Sequence, residues 1–173
     1  MMDFELDDLI TPEYRELNEQ LHADRNDYGV KGNRRLMPVK QVRKDYECDT
    51  VLDYGCGSAA LSRYAKFDIA NFDPCIPEHS DMPEPADLVV CNDVLEHVEP
   101  EKLDGVLTHL QYLIQKAGYF VIATRYDKSK LLADGSNPHK IVENAHWWKK
   151  KLKEYFKIDT FNVKKGEIEC VVR

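Results

Sequence analysis

The run Val51-Leu-Asp-Tyr-Gly-Cys-Gly57 decides the fold class of this chain. Residues 50–53 form a short apolar strand pattern, and the two glycines close it ahead of a brief helix predicted at 58–64. Glycine has no Cβ, so such a loop lets the backbone approach a ligand, and the helix start offers unpaired amide donors. Many strand-to-helix turns contain glycine, however. By itself the run leaves open both a ligand-binding loop and a plain tight turn.

Strand and helix patterns alternate after this loop. Further strands are predicted at 66–72, 87–92 and 119–124, and helices at 103–114, ending before Gly118, and at 145–156. The continuous apolar run at 87–92 is typical of a strand covered on both faces of a parallel sheet. Residues 158–163 and 168–172 flank Lys164-Lys-Gly166 and predict an antiparallel hairpin. The pattern therefore predicts an α/β fold, with a doubly wound, mostly parallel sheet and helices on both faces.

The N-terminal part is predicted to be a helical extension. Apolar residues at helical intervals predict two short helices within residues 3–22, and 39–46 is a candidate for one more. The polar segment 24–33 between them reads as a loop, in which Tyr28 and Gly29 are either a lid over a ligand or a plain surface turn. At 173 residues we expect one domain, with an extension at 1–46 and a core at 50–173.

Composition limits the classes of partner. A formal net charge of −7 argues against a surface that grips nucleic acid over its whole area, although basic residues cluster at 31–44 and 149–153. No stretch approaches the roughly 18 to 20 apolar residues that span a membrane, and the start lacks the features of a secretory signal. Five widely spaced cysteines show no zinc-ligand interval. We expect a cytoplasmic protein with reduced thiols, no membrane partner and no metal.

Polar residues follow the predicted strands at their carboxyl ends, where open α/β sheets bind ligands. The second strand ends at Asp73, eighteen positions after Gly55, about where an acidic residue meets a ribose diol in a dinucleotide-type fold. Asn92 ends the third predicted strand. The combination of glycine loop and acid favours a nucleotide-like cofactor more than either feature does alone.

Two of these stretches carry a family resemblance. Asp53-Tyr-Gly-Cys-Gly57 resembles the Asp/Glu-x-Gly-x-Gly signature of the class I, Rossmann-like S-adenosylmethionine-dependent methyltransferases, and Asp87-Leu-Val-Val-Cys-Asn-Asp-Val-Leu-Glu-His-Val98 resembles their fourth strand and its exit. The resemblance spans about residues 50–124. It implies a seven-stranded type of sheet, trimmed here because prolines interrupt 75–85. The layout as a whole is similar to small methyltransferases of bacteriophage genomes.

The resemblance implies S-adenosylmethionine as cofactor. The binding positions it implies in the core are Asp53, Gly55, Gly57, Asp73, Asp81, Met82 and Asn92. Asp53 would face the methionine end, and Asp73 would accept hydrogen bonds from the ribose hydroxyls. Asp81 and Met82 match the place where the family commonly contacts adenine, and Asn92 would lie beside the sulfonium.

The acceptor side is predicted from the remaining strand exits. Methyl transfer from a sulfonium needs alignment and exclusion of water rather than a protein nucleophile, although a hydroxyl or ammonium acceptor needs a base. His97, with Glu96 beside it, is the candidate catalytic base; a packed polar residue is the alternative. Candidate acceptor-binding residues are Arg125, Tyr126, His139, His146 and Trp147. Trp148 shares a helical stripe with Leu152, so we expect Trp148 in the core and Trp147 elsewhere.

Three functions remain open. Asn92-Asp93-Val94-Leu95 stands where DNA amino-methylating enzymes of this fold usually carry Asn/Asp-Pro-Pro-Tyr/Phe. This departure favours a small-molecule or nucleotide acceptor. The alternatives are a DNA or RNA methyltransferase that uses the basic clusters, and a non-catalytic subunit that binds S-adenosylmethionine and stabilises a partner.

Overall fold

The computed structural model describes residues 4–23, 34–128 and 131–173. The predicted lid residues Tyr28 and Gly29 lie outside the described residues. Within them the helices are α1 (Leu6–Leu9), α2 (Pro12–Ala23), α3 (Leu36–Asp45), α4 (Ala60–Tyr64), α5 (Leu103–Leu113) and α6 (Ala145–Leu152). The strands are β1 (Val51–Tyr54), β2 (Ala70–Phe72), β3 (Ala86–Asn92), β4 (Ile114–Ala123), β5 (Ile158–Lys164) and β6 (Glu167–Val172).

The described strands form one six-stranded sheet in the order β2-β1-β3-β4-β6-β5. The first four strands are parallel to one another, and β6 pairs antiparallel with both β4 and β5. Between Phe72 and Ala86, a stretch the structure describes completely, a 3-10 helix at Pro77–His79 takes the place of a strand. The predicted α/β sheet with a closing hairpin is confirmed, in its trimmed form.

The two faces of the sheet build two cores because side chains alternate along a strand. In β3, Leu88 and Val90 pack with α3 on one face, whereas Val89 and Cys91 pack with α5 and α6 on the other. The core on the α5 and α6 face contains Trp148, whose side chain is fully buried. The prediction that Trp148 lies in the core is confirmed. Helices therefore cover both faces.

Three predicted boundaries are wrong. The second strand covers only Ala70–Phe72 rather than 66–72, because it is an edge strand that pairs with three residues of β1. Strand β4 starts at Ile114 rather than at 119, directly after α5 ends at Leu113. Gly118 therefore lies inside a central strand, where a Cβ would come within 2.9 Å of Val172 Cγ2. Helix α6 ends at Leu152 rather than 156, and turns connect it to β5.

Helices α1 and α2, here called the N-terminal roof, dock on the core through specific contacts. A Cβ on Gly105 of α5 would lie 2.5 Å from the carbonyl oxygen of Asp8, so glycine allows α1 to approach closely. The Glu99 carboxylate accepts hydrogen bonds from Thr11 N at 2.9 Å and Thr11 Oγ1 at 2.7 Å. Tyr14 Oη donates to the Pro138 carbonyl at 3.2 Å. These contacts join the roof to the loops that follow β3 and β4.

Two further features concern the whole chain. None of the described helices has the length and apolar character needed to cross a membrane. The five cysteines are free and buried.

Candidate active site

A cavity of about 720 Å³ lies at the carboxyl ends of β1 to β4, and the N-terminal roof supplies part of its wall. Ten of the sequence-predicted site residues line it: Asp53, Gly55, Gly57, Asp73, Asn92, Glu96, His97, Arg125, Tyr126 and His139. The cavity therefore brings together the predicted cofactor loop and most of the predicted acceptor residues.

The glycine loop is held at one end of the cavity by backbone contacts. The amides of Gly55 and Cys56 donate to the Phe72 carbonyl at 2.7 and 3.1 Å. Gly55 has a φ of +75°, and a Cβ there would lie 2.3 Å from Val94 Cγ2. Both the backbone conformation and the close approach of the loop after β3 therefore require glycine at this position.

Asp73 connects the end of β2 to this loop. Its Oδ2 accepts a hydrogen bond from Gly57 N and its Oδ1 accepts one from Cys75 N, both at 2.9 Å. The residue is buried but lines the cavity. Each carboxylate oxygen has two acceptor sites, so both oxygens keep one for a bound diol.

Asp53 is the second acid at this end. Burial raises its pKa to about 7, and the negative charge of Asp73 adds to the shift. A cation bound beside Asp53 favours the ionised carboxylate and offsets the cost of its burial. The pair therefore fits a ligand with hydroxyl donors at one end and a positive charge at the other.

The exits of β3 and β4 meet at the other end of the cavity. Glu96 and His97 lie in a 3-10 helix at Leu95–His97, shortly after β3. The Glu96 carbonyl accepts hydrogen bonds from Lys140 N at 2.8 Å and Ile141 N at 3.0 Å. These bonds hold the loop after β4 against the exit of β3, and His139 on this loop lies edge-on to His97, with ring centroids 4.6 Å apart.

Burial governs the protonation of this group. It raises the pKa of Glu96 to about 8, with a contribution from the negative charge of Asp93. It lowers the pKa of His97 to about 3, and His139 adds to that shift. At neutral pH the His97 imidazole is therefore neutral, and its low pKa makes it a weak base.

Among the residues that the structure describes, four predicted site residues lie outside this cavity. Asp81 and Met82 are exposed, because the trimmed segment after β2 forms a short turn rather than a strand that would carry them across the cavity. His146 is exposed on α6. Trp147 lines a smaller cavity of about 320 Å³ together with Tyr126, which lines both cavities.

Sequence reasoning missed the contribution of the roof and its neighbours. The additional lining residues in these segments are Leu9, Ile10, Tyr14, Asn18, His22, Arg35 and Glu99. The helical spacing of Leu9, Ile10 and Tyr14 predicts that these side chains are buried, but it does not predict which surface buries them. Only the tertiary contacts of Thr11 and Tyr14 place them over the strand ends.

The fold and this cavity define the class of protein: an α/β domain that binds a nucleotide-like ligand at the carboxyl ends of its parallel strands. A family model described as a methyltransferase domain matches residues 15–162. The match spans well over half of the chain, and the chain therefore belongs to this family, the S-adenosylmethionine-dependent methyltransferases. No curated protein matches the chain by sequence.

Solved structures share the fold at low identity. The 1,6-didemethyltoxoflavin-N1-methyltransferase of Burkholderia thailandensis, with bound 1,6-didemethyltoxoflavin and S-adenosylhomocysteine, is 13% identical with a TM-score of 0.63, over 99% of this chain and 92% of that one. Human N-acetylserotonin methyltransferase, in complex with S-adenosylmethionine, is 16% identical with a TM-score of 0.60, over 93% and 55%. An O-methyltransferase family protein from B. thailandensis is 13% identical with a TM-score of 0.54, over 82% and 57%. The chain thus spans little more than half the length of the last two proteins.

Proposed function

We propose that this protein transfers the methyl group of S-adenosylmethionine to a small-molecule or nucleotide acceptor inside the 720 Å³ cavity. The observation that carries the proposal is the arrangement of this single cavity. It has the glycine loop and two acids at the ends of β1 and β2, a polar cluster at the exits of β3 and β4, and a helical roof.

The cofactor belongs at the β1–β2 end. Asp73 accepts hydrogen bonds from the ribose hydroxyls. The glycines of the loop have no Cβ atom, so the backbone lies close to the ribose and the carboxylate of the cofactor. Asp53 faces the positively charged methionine end, and that positive charge offsets the burial that raises the pKa of Asp53 to about 7. Charge-assisted hydrogen bonds of the kind Asp73 offers are worth about 1.5 to 3 kcal/mol each.

The acceptor belongs at the β3–β4 end. Asn92 stands at the end of β3, and Arg125, Tyr126 and His139 follow β4, all on the cavity wall. The roof forms part of the cavity wall through Leu9 and Tyr14. A volume of this size is typical of sites that enclose small ligands. Two of the structural neighbours are named for small molecules, 1,6-didemethyltoxoflavin and N-acetylserotonin.

The chain's own contribution to the reaction is position and exclusion of water. The bound cofactor supplies an electrophilic methyl group for in-line displacement, so no protein nucleophile is needed. His97 remains the proposed base for an acceptor that must lose a proton, but its lowered pKa makes it a poor base on its own. An acceptor with an available lone pair, such as a neutral ring nitrogen, needs no base.

A nucleic-acid acceptor is less well supported. In the basic run on α6, Lys151 Nζ lies 2.6 Å from Asp104 Oδ1 and 3.0 Å from Glu154 Oε2, and Lys149 lies over the ring of Phe161. The two carboxylates offset the charge of Lys151, which leaves less positive charge on α6 for phosphates. Binding to DNA or RNA that weakens steeply with salt would favour this second function.

The test is transfer of a labelled methyl group from S-adenosylmethionine into separate pools of small molecules, nucleotides, DNA, RNA and protein. We expect label in the small-molecule or nucleotide pool, and loss of that label in Asp73→Ala. The exposed carboxylate Asp68 provides the control, because Asp68→Ala leaves the cavity unchanged. Label found only in DNA, RNA or protein would overturn the acceptor class.

Three further expectations from the sequence stay predictions: a single domain over residues 1–173, a cytoplasmic location and the resemblance to bacteriophage methyltransferases. The buried, free cysteines are consistent with a reducing compartment.

A further inference from the structure

Three side chains at the β3–β4 end of the cavity form a compact group. Glu96, His97 and His139 each offer one potential ligand atom, and these atoms lie within 4.8 Å of one another. His139 stands more than forty residues from the other two, which is why no ligand spacing is visible in the sequence. All three residues line the cavity.

Glu96 is fixed but incompletely satisfied. It is fully buried, and its Oε1 accepts a hydrogen bond from Ala123 N at 3.0 Å. Its Oε2 is buried and has no hydrogen-bond partner among the described residues. A buried carboxylate oxygen without a partner is costly, so this atom calls for a donor or a cation.

Both histidines are oriented by backbone carbonyls. His139 Nδ1 lies 2.5 Å from the Arg125 carbonyl oxygen, and the Pro138 carbonyl faces the His97 ring. A carbonyl only accepts, so His139 Nδ1 carries the proton and His139 Nε2 carries a lone pair. A backbone carbonyl behind the imidazole is the usual arrangement behind histidines that bind metals.

The charges around the cluster favour a cation. The negative charge of Asp93 interacts electrostatically with Glu96, and that of Asp127 interacts with His97. The positive charge of Arg125 interacts with Glu96 and opposes this effect. His22 also interacts electrostatically with His97. Asp93 and Asp127 therefore attract a cation bound at the cluster, and Arg125 opposes it.

We propose that Glu96, His97 and His139 bind one divalent transition-metal ion at the β3–β4 end of the cavity. With the metal bound, the lone pair of His97 is used, so His97 is then a ligand and not a base. Two imidazoles and one carboxylate select ions such as Zn²⁺, Mn²⁺ or Fe²⁺ over Mg²⁺, which prefers oxygen ligands. Three protein ligands leave coordination positions open, as in catalytic metal sites. The metal site itself does not depend on the proposed function. Only the further step, in which an oxygen atom of the acceptor fills an open position, rests on the proposed function.

The first experiment is calorimetric titration of the chelator-treated full-length protein with Zn²⁺, Mn²⁺ and Mg²⁺. We expect one Zn²⁺ or Mn²⁺ per chain and at least tenfold weaker binding of Mg²⁺. Absence of a one-to-one site for either transition metal would overturn the proposal.

Variants locate the site. Glu96→Gln, His97→Gln and His139→Gln should each weaken Zn²⁺ binding at least tenfold, because each removes one ligand while keeping a polar side chain of similar size. His79→Gln is the control, since His79 lies in the 3-10 helix after β2, outside the cavity. Equal loss in His79→Gln, or unchanged binding in all three cluster variants, would show that Zn²⁺ binds elsewhere.

A measurement on the wild-type protein keeps the proposal testable if a variant fails to fold. Mn²⁺ should selectively broaden the imidazole NMR signals of His97 and His139 while leaving those of His79 and His146 sharp. Broadening of the His79 and His146 signals alone would contradict the site. Binding of S-adenosylhomocysteine, measured in parallel without metal, reports on the proposed function separately, so either assignment can fail while the other stands.

Discussion

The two ends of the cavity, which we propose as the cofactor end (β1–β2) and the acceptor end (β3–β4), are built in different ways. At the cofactor end, Asp53, Gly55, Gly57 and Asp73 come from one strand-loop-helix-strand unit. Hydrogen bonds join Gly55 N to the Phe72 carbonyl and Gly57 N to the Asp73 carboxylate. The acceptor end is assembled from the N-terminal roof, the exit of β3 and the loop after β4, which are far apart in the chain. The first end is therefore set by local structure, whereas the second depends on tertiary docking.

This difference sets what a substitution should do. A change at the cofactor end should alter backbone strain, local charge or ligand affinity directly. A change at the acceptor end should act through the docking of one segment on another.

The largest effect is expected for Gly55→Ala. A left-handed backbone costs a non-glycine residue about 1 to 2 kcal/mol, and overpacking against Val94 adds about 1 to 3 kcal/mol. Gly135→Ala is the matched control, since Gly135 has a φ of +80° and no atom within 4 Å of an added Cβ. Urea denaturation should show a clearly larger loss for Gly55→Ala. Equal losses would mean that Val94 yields and that the close approach is unimportant.

The second effect concerns pH. Because burial and Asp73 raise the pKa of Asp53 to about 7, the folded protein holds a proton that the unfolded chain releases above its ordinary pKa of about 3.8. The free energy of unfolding therefore loses this contribution as pH rises from about 4 to 7 and is level above that range. Asp53→Asn lacks the titration, so its stability relative to wild type should rise by roughly 2 to 4 kcal/mol between pH 4 and pH 8.

Denaturation of the ligand-free proteins across that range gives the measurement. Asp68→Asn should follow wild type at every pH, because Asp68 is exposed. A constant difference between Asp53→Asn and wild type would show that Asp53 ionises normally in the folded protein.

A third, smaller effect tests the roof. Glu99→Ala removes the acceptor for Thr11 N and Thr11 Oγ1 and should cost about 1 to 2 kcal/mol. Hydrogen exchange should accelerate in α1 and α2 while the amides of β1 stay protected. Glu101→Ala, at an exposed neighbouring position, should change neither. Acceleration in β1 as well would mean that the roof and the sheet open together.

The same contrast explains what could be predicted from sequence. The glycine loop and Asp73 are recognisable because their spacing follows from one local unit, and the structure joins them as expected through Gly57 N. The boundary between α5 and β4 is not recognisable, because Leu113 and Ile114 fit either a helical stripe or a buried strand. Gly118 looked like a helix end but serves a crowded strand, where its missing side chain makes room for Ile114 and Val172.

The acceptor end could be predicted only in part. His97 and Arg125 follow strands directly and were expected at the cavity, as the structure shows. The approach of His139 to Glu96 depends on two backbone hydrogen bonds between distant loops, and the sequence carries no sign of them. Asp81 and Met82 were expected by analogy with a longer unit, and the trimmed chain leaves them exposed.

The central claim is that the β1–β2 end binds S-adenosylmethionine through Asp73. Calorimetry with S-adenosylmethionine and S-adenosylhomocysteine tests it directly, on wild type, Asp73→Ala, Asp73→Asn and the control Asp68→Ala. We predict binding to wild type and Asp68→Ala, and a loss of at least tenfold, about 1.4 kcal/mol, in Asp73→Ala. Unchanged affinity in a folded Asp73→Ala, or no binding to wild type, would contradict the account.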